Sequence, residues 1–277
     1  AVFWVKLNSS IPANSTTIIY LYSSTSSVVN NTTIGIAPQL STTYGQYDNG
    51  ANVFNFYDNF AGTSLNTSEW TVSGANYTVD NGITITSVAN YGNGIWTSQF
   101  SVGVGDAIQF YGNPYQSGSG WAETGAVSGT TSDNHGSFIQ GGSGNVYGQQ
   151  VSSTGYTSSP NLTTSNIGNA TWVVEIISST TSYYSVNSGS PQSVSVHAPS
   201  YPLQLGLIKA SGAGSSTYFV QYILVRACPP NGVMPSVSIT YFILALYATT
   251  DLSFVSAIND TITSYGTTGL SFASTTQ

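Results

Sequence analysis

Charge is what this sequence lacks most. Only 5% of its 277 residues are Asp, Glu, Lys or Arg, against about 25% in an ordinary globular chain. Lys and Arg together number three. So few cations cannot neutralise a phosphate backbone, which excludes nucleic-acid binding. The same shortage excludes adsorption to an anionic membrane surface. Cys228 is the single cysteine, so there is no disulfide framework and no thiolate metal cluster. It reads as a buried free thiol, with an intermolecular disulfide as the other option. Helix formers are scarce, and no long stretch keeps a 3.6-residue period. Ala1 to Asn8 lacks the basic and apolar regions of a secretory signal. Opening on Ala1 rather than on methionine implies a processed chain or a piece of a longer one.

What is present is a core without much charge around it. Hydrophobic residues make up 40% and aromatics 13% of the chain, enough to disfavour disorder. The remainder is rich in Ser, Thr, Asn and Gly, as expected of a neutral-surfaced, β-rich extracellular protein. Net charge is −7 at pH 7. Acid unfolds proteins mainly by protonating carboxylates that are paired in the native state. A chain with ten acids and three Lys/Arg has little such pairing to lose, so an exterior that works in acid is expected. Nine positions match Asn-x-Ser/Thr: Asn8, Asn14, Asn30, Asn31, Asn66, Asn76, Asn161, Asn169 and Asn259. In an exported protein these are candidate glycosylation sites, although a composition this rich in Asn, Ser and Thr yields most of them by chance.

Strand signals recur between clusters of Gly, Asn, Pro and Ser. The clearest are Thr17 to Tyr22, Tyr77 to Val79, Ile83 to Val88, Ile95 to Phe100, Ala107 to Tyr111 and Phe138 to Ile139. Thr171 to Ile177, Tyr183 to Val186, Gln192 to Val196, Leu203 to Ile208 and Tyr218 to Val225 follow. Asp80-Asn81-Gly82 reads as a hairpin turn with Gly at positive φ. Many short strands without helices predict an all-β antiparallel sandwich. Three segments are expected: a partial N-terminal β segment with linker (1–45), the sandwich (53–228) and a C-terminal β extension (229–277). The extension holds the most hydrophobic run, Ile239 to Ala248. That run is about half the length needed to span a bilayer and suits a strand buried on both faces. It either folds back onto the N-terminal strands or completes a neighbour's sheet, giving self-assembly into a filament.

Phe3-Trp4-Val5-Lys6, Ile11 to Thr17 and Tyr20-Leu21-Tyr22 resemble the C-terminal half of a domain of unknown function found in archaeal and bacterial surface proteins. Phe54 to Phe60, Leu65 to Trp70 and Asp80 to Ile83 resemble the start of a concanavalin A-like (laminin-G-like) jelly roll, and Tyr222 to Arg226 resembles its end. The resemblance implies a cell-surface or virion-surface protein, including the attachment fibres of archaeal viruses, with sugar binding as the usual role of the fold.

Catalysis is hard to find. A glycoside hydrolase needs two carboxyl groups about 5–10 Å apart. No two of the ten acids lie within four residues of each other, and Glu123 is followed by Thr-Gly-Ala-Val-Ser instead of completing the E-x-D-x-x-E motif of jelly-roll glucanases. His135 and His197 lie near no nucleophile-elbow sequence. No metal cluster is legible. Asp58, Asp106 or Asp133 could join backbone carbonyls around calcium, though a turn-capping or solvated Asp is the plainer reading, and no other cofactor is expected. The candidate sugar site is Tyr111, Tyr115, Trp121, Glu123, Asn134 and His135, rings set among amides and hydroxyls. The competing reading makes Trp121 a core residue like Trp70, Trp96 and Trp172. The sequence thus leads first to a non-enzymatic surface or appendage protein for adhesion, with cell-surface glycans as partners. A sugar-binding lectin module comes second and a glycosidase third.

Overall fold

A computed structural model of the chain describes residues 4–7, 15–19, 35–88, 93–115, 120–129, 135–142, 144–208 and 218–228. The chain divides into two compact units, Ala1–Val233 and Met234–Gln277. The apolar run Ile239 to Ala248, and with it the expected assembly through terminal strands, falls outside the described residues. Residues 15–19 form no strand, so the expected strand at Thr17 to Tyr22 is absent where it can be described. Helix is limited to one turn each at Pro38–Leu40 and Gly50–Val53 among the described residues. None of these is long and apolar enough to cross a membrane.

Among the described residues, fifteen strands follow in chain order. They are β1 Phe56–Asp58, β2 Trp70–Ser73, β3 Ala75–Val79, β4 Ile83–Val88, β5 Gly94–Val102, β6 Asp106–Asn113, β7 Ala122–Val127 and β8 Gly136–Gly141. The chain continues through β9 Val146–Ser152, β10 Gly155–Thr163, β11 Ala170–Ile176, β12 Ser182–Val186, β13 Gln192–Val194, β14 Leu203–Ile208 and β15 Tyr218–Ala227. One sheet runs β13-β12-β11-β6-β15-β4-β3 with β1 also on β15, and the other runs β10-β9-β8-β7-β14-β5-β2. Every pairing is antiparallel. The chain is therefore a concanavalin A-like antiparallel β-sandwich.

Alternation explains the interior. In β11, Ala170, Trp172, Val174 and Ile176 are buried while Thr171, Val173 and Glu175 are half-buried, the period-two signature of a strand with one face on a core. Trp172 stacks on Phe110 with ring centroids 6.4 Å apart, and donates its indole N–H to the Gly112 carbonyl at 3.0 Å. β15 breaks phase once. Its register shifts between Val220 and Tyr222, so Tyr218 and Val220 face the core before the bulge and Ile223 and Val225 after it. The turn at 80–82 forms as expected, with Asn81 at φ 53° and Gly82 at φ 140° and Val79 paired with Ile83.

The outer face of the β15 sheet is aromatic. Tyr222 stacks on Tyr111 at 5.8 Å and on Tyr57 at 6.4 Å. Phe54 continues the row against Tyr57, and Trp4 meets Phe54 edge-on while lying under the Arg226 guanidinium.

Candidate functional site

β7 and β8 differ from the other strands in being buried along both faces. Ala122 and Ala126 point into the inter-sheet core, so Glu123, Gly125 and Val127 lie on the opposite, outer face. Trp96, Val127 and Phe138 form a separate buried apolar cluster there, with Val151 against it. Trp96 is thus buried but outside the inter-sheet core, which corrects its reading as a partner of Trp70 and Trp172. Gln204 on β14 edges the same cluster, its Oε1 accepting the Gly129 N–H at 2.9 Å.

Beside that cluster runs a polar row. Register pairs Glu123 with Gln140 and Gln140 with Tyr147, placing the three side chains on one face of three neighbouring strands. Gln140 Nε2 donates to Glu123 Oε1 at 2.9 Å, and the Tyr147 hydroxyl donates to Gln140 Oε1. Glu123 has no exposed surface and Gln140 only 6%; Tyr147 is half-buried. Burial, then the charge of Glu123, pushes the Tyr147 phenol above its ordinary range, so it stays a hydrogen-bond donor. Trp121, two residues before Glu123, is 43% exposed. It lies against Gly142, where a Cβ would sit 3.1 Å from the indole Cδ1. The core reading of Trp121 is therefore set aside.

The structure brings together only part of the candidate sugar site. Trp121 and Glu123 adjoin each other, one at the entry of β7 and one within it. Tyr111 lies on β6 of the other sheet, in the aromatic row. The Tyr115 ring packs on the inter-sheet core, and its N–H donates to Asn113 Oδ1 at 3.1 Å. His135 is half-buried at the entry to β8, its carbonyl accepting the Ser128 N–H at 2.8 Å. Asn134 lies outside the described residues. Sequence reasoning misses Gln140 and Tyr147. The signal that points to them is the glycine-rich stretch 141–145 between Phe138-Ile139-Gln140 and Val146-Tyr147, a hairpin pattern that sets Gln140 opposite Tyr147.

Of the candidate calcium ligands, Asp58 accepts from the Phe60 N–H and the Trp70 indole, both at 2.6 Å. Asp106 accepts the Gly103 N–H at 2.9 Å, while Asp133 is not described. Among the described residues no three His, Cys, Asp or Glu side chains could hold a metal ion together. A cavity of about 240 Å³ opens near Asp48, Tyr57, Asp58, Asn59, Asn66 and Glu69. Its two Asp carboxylates are engaged in hydrogen bonds with Tyr57, Asn59, Trp70 and backbone amides. Of the nine sequons, Asn66, Asn76, Asn161 and Asn169 are described. All four are exposed. Asn8, Asn14, Asn30, Asn31 and Asn259 are outside the described residues. Cys228 is half-buried and free, its thiol pushed up to about 11 by burial and the neighbouring Glu175 charge.

No family model matches the chain. It is 30% identical over 268 residues to the uncharacterized protein 562 of Sulfolobus islandicus rod-shaped virus 1, covering 84% of this chain and 46% of that protein. The chain thus spans about half the length of the curated relative it matches. Among solved structures, a glycosyl hydrolase family protein from Mycobacterium fortuitum is 16% identical, with a TM-score of 0.48 over 62% of this chain and 99% of that one. The β-glucanase of Bacillus licheniformis is 12% identical, TM-score 0.47, over 62% and 97%. The endo-β-1,3-glucanase of Pyrococcus furiosus is 11% identical, TM-score 0.47, over 63% and 94%. These are likenesses of fold. They correct the expectation of a non-enzymatic appendage protein, since these three solved structures are a glycosyl hydrolase family protein and two glucanases, and the adhesive-fibre reading is given up.

Proposed function

We propose that the chain acts on a neutral glycan at the outer face of β7, β8 and β9, with Glu123 as one of the two carboxyl groups that cleavage of a glycosidic bond needs. One observation carries this reading: a fully buried carboxylate, held by a hydrogen-bonded row, lies two residues from an exposed tryptophan. Burying a carboxylate costs several kcal/mol unless it is hydrogen-bonded, and such groups concentrate where chemistry is done. The Trp121 ring offers a stacking surface for a sugar face. A surface poor in fixed charge suits an uncharged ligand. The solvent-facing sequons and the match to a viral protein support an extracellular setting, at a cell or virion surface.

The test is reducing-end release from β-1,3-glucan, mixed-linkage glucan and other neutral polysaccharides. The wild-type chain should release product, and Glu123→Gln should slow release by about 10²–10⁴-fold, the usual contribution of an acid–base group. Wild-type protein that cleaves none of these substrates would overturn the reading, as would cleavage undiminished in Glu123→Gln.

A further inference from the structure

The polar row contains an unusual support for the carboxylate. A carboxamide has one accepting and one donating end, and Gln140 uses both: Oε1 toward Tyr147 and Nε2 toward Glu123. With Glu123 ionised, turning the amide over would set its oxygen against a carboxylate oxygen, two acceptors with no proton between them. The phenol, able to donate or accept, favours the working orientation by donating. The direction of the row is therefore fixed from Tyr147 inward, across strands spaced about 4.8 Å apart.

The support comes from across the sheet because the same strand cannot supply it. Two residues along β7 on the same face is Gly125, at φ 152°. A Cβ there would lie 2.6 Å from the Ser137 carbonyl oxygen and 2.7 Å from Phe138 Cα, both backbone atoms of β8. No acidic or amide side chain can stand beside Glu123 from that position without moving β8.

We propose that Gln140 and Tyr147 are positioning residues for Glu123: the phenol orients the carboxamide, and the carboxamide fixes the rotation of the carboxylate. The assignment rests on the proposed action at Glu123, but its first test does not need turnover. The sequence has three glutamates, Glu69, Glu123 and Glu175, so carboxyl-¹³C glutamate labelling gives three resonances that Glu→Gln variants can assign. Tyr147→Phe removes one hydroxyl, which bonds to Gln140 rather than to Glu123. It should shift the Glu123 resonance and leave those of Glu69 and Glu175 in place; Gln140→Leu should shift it further. Tyr156→Phe, on the neighbouring strand β10, should move none of them. Where hydrolysis is measured, Tyr147→Phe should lower kcat by roughly tenfold with KM unchanged, the loss of about one hydrogen bond. A Glu123 resonance unmoved by Tyr147→Phe in folded protein overturns the positioning role even if hydrolysis is observed. A shifted resonance in a chain that hydrolyses nothing upholds it and overturns the enzymatic reading alone.

Discussion

A half-buried carboxylate in the N-terminal clasp and a fully buried one in the β7–β8–β9 row are held in different ways. Asp58, on β1, receives a backbone amide from Phe60 and the indole N–H of Trp70, which opens β2 in the other sheet. Trp70 is 1% exposed and wedged between Phe56 and Phe60. Both donors are fixed by backbone or by core packing, so Asp58 acts as a staple between the two sheets. Glu123 receives its bond from a side chain that is itself aimed by another side chain. The clasp distributes its donors around a rigid ring, whereas the row aligns them along one line that ends at a half-buried hydroxyl. The first arrangement serves stability; the second sets the orientation of one group, which is what a chemical site requires.

The comparison can be broken most forcefully at Gly125. Gly125→Asp restores the missing acid of the glucanase pattern, yet it should cost about 3 kcal/mol or more through overpacking and a strained φ. Urea unfolding measures this; a stable variant with raised glycan hydrolysis would show that β8 yields and that the strand can carry its own support. A smaller effect is expected at the staple. Asp58→Asn turns an amide N–H₂ toward one of two fixed N–H donors, a loss of about 1–2 kcal/mol. Glycan hydrolysis per folded molecule should stay at the wild-type rate, and a loss there would erase the division between staple and site.

The smallest effect is in pH dependence. Burial raises the Asp58 and Asp106 carboxyls above their ordinary value of 3.8, against the lowering by their N–H donors. The fold therefore holds protons that the unfolded chain has released. The stability this contributes is complete below about 3.8 and is lost as pH rises through the raised folded values. Urea midpoints should rise modestly as pH is lowered from 7 toward 4, and Asp58→Asn should flatten that rise. A midpoint that falls over the same interval contradicts it.

Much of the scaffold is legible in the amino-acid sequence. Ile83–Val88 and Leu203–Ile208 are read as strands with the bounds that β4 and β14 have in the fold, because apolar and β-branched residues run between turn signals. β7, β9 and β10 give no such signal. Ala-Glu-Thr-Gly-Ala-Val and Gly-Tyr-Thr-Ser-Ser-Pro-Asn-Leu-Thr have weak strand propensity. They become strands because neighbouring backbone takes up their amides and carbonyls. The site shows the same division. Trp121 and Glu123 are visible together through their i, i+2 spacing, but Gln140 and Tyr147 lie 17 and 24 positions beyond Glu123 and meet it only through register. Tyr111, close to Trp121 in sequence, lands on the other sheet because the chain crosses the sandwich between β6 and β7.

The sequence by itself determined an all-β chain with hardly any charge, an aromatic core and a hairpin at 80–82. These follow from local propensity, strand alternation and turn chemistry, which neighbouring residues decide among themselves. Only the tertiary structure decided that Trp96 belongs to an outer cluster, that Gly125 has no room for a side chain, and that the Glu123 carboxylate has an amide and a phenol behind it. Alternation states which residues share a face. What covers that face, and which strand lies alongside, depends on contacts between residues far apart in the chain.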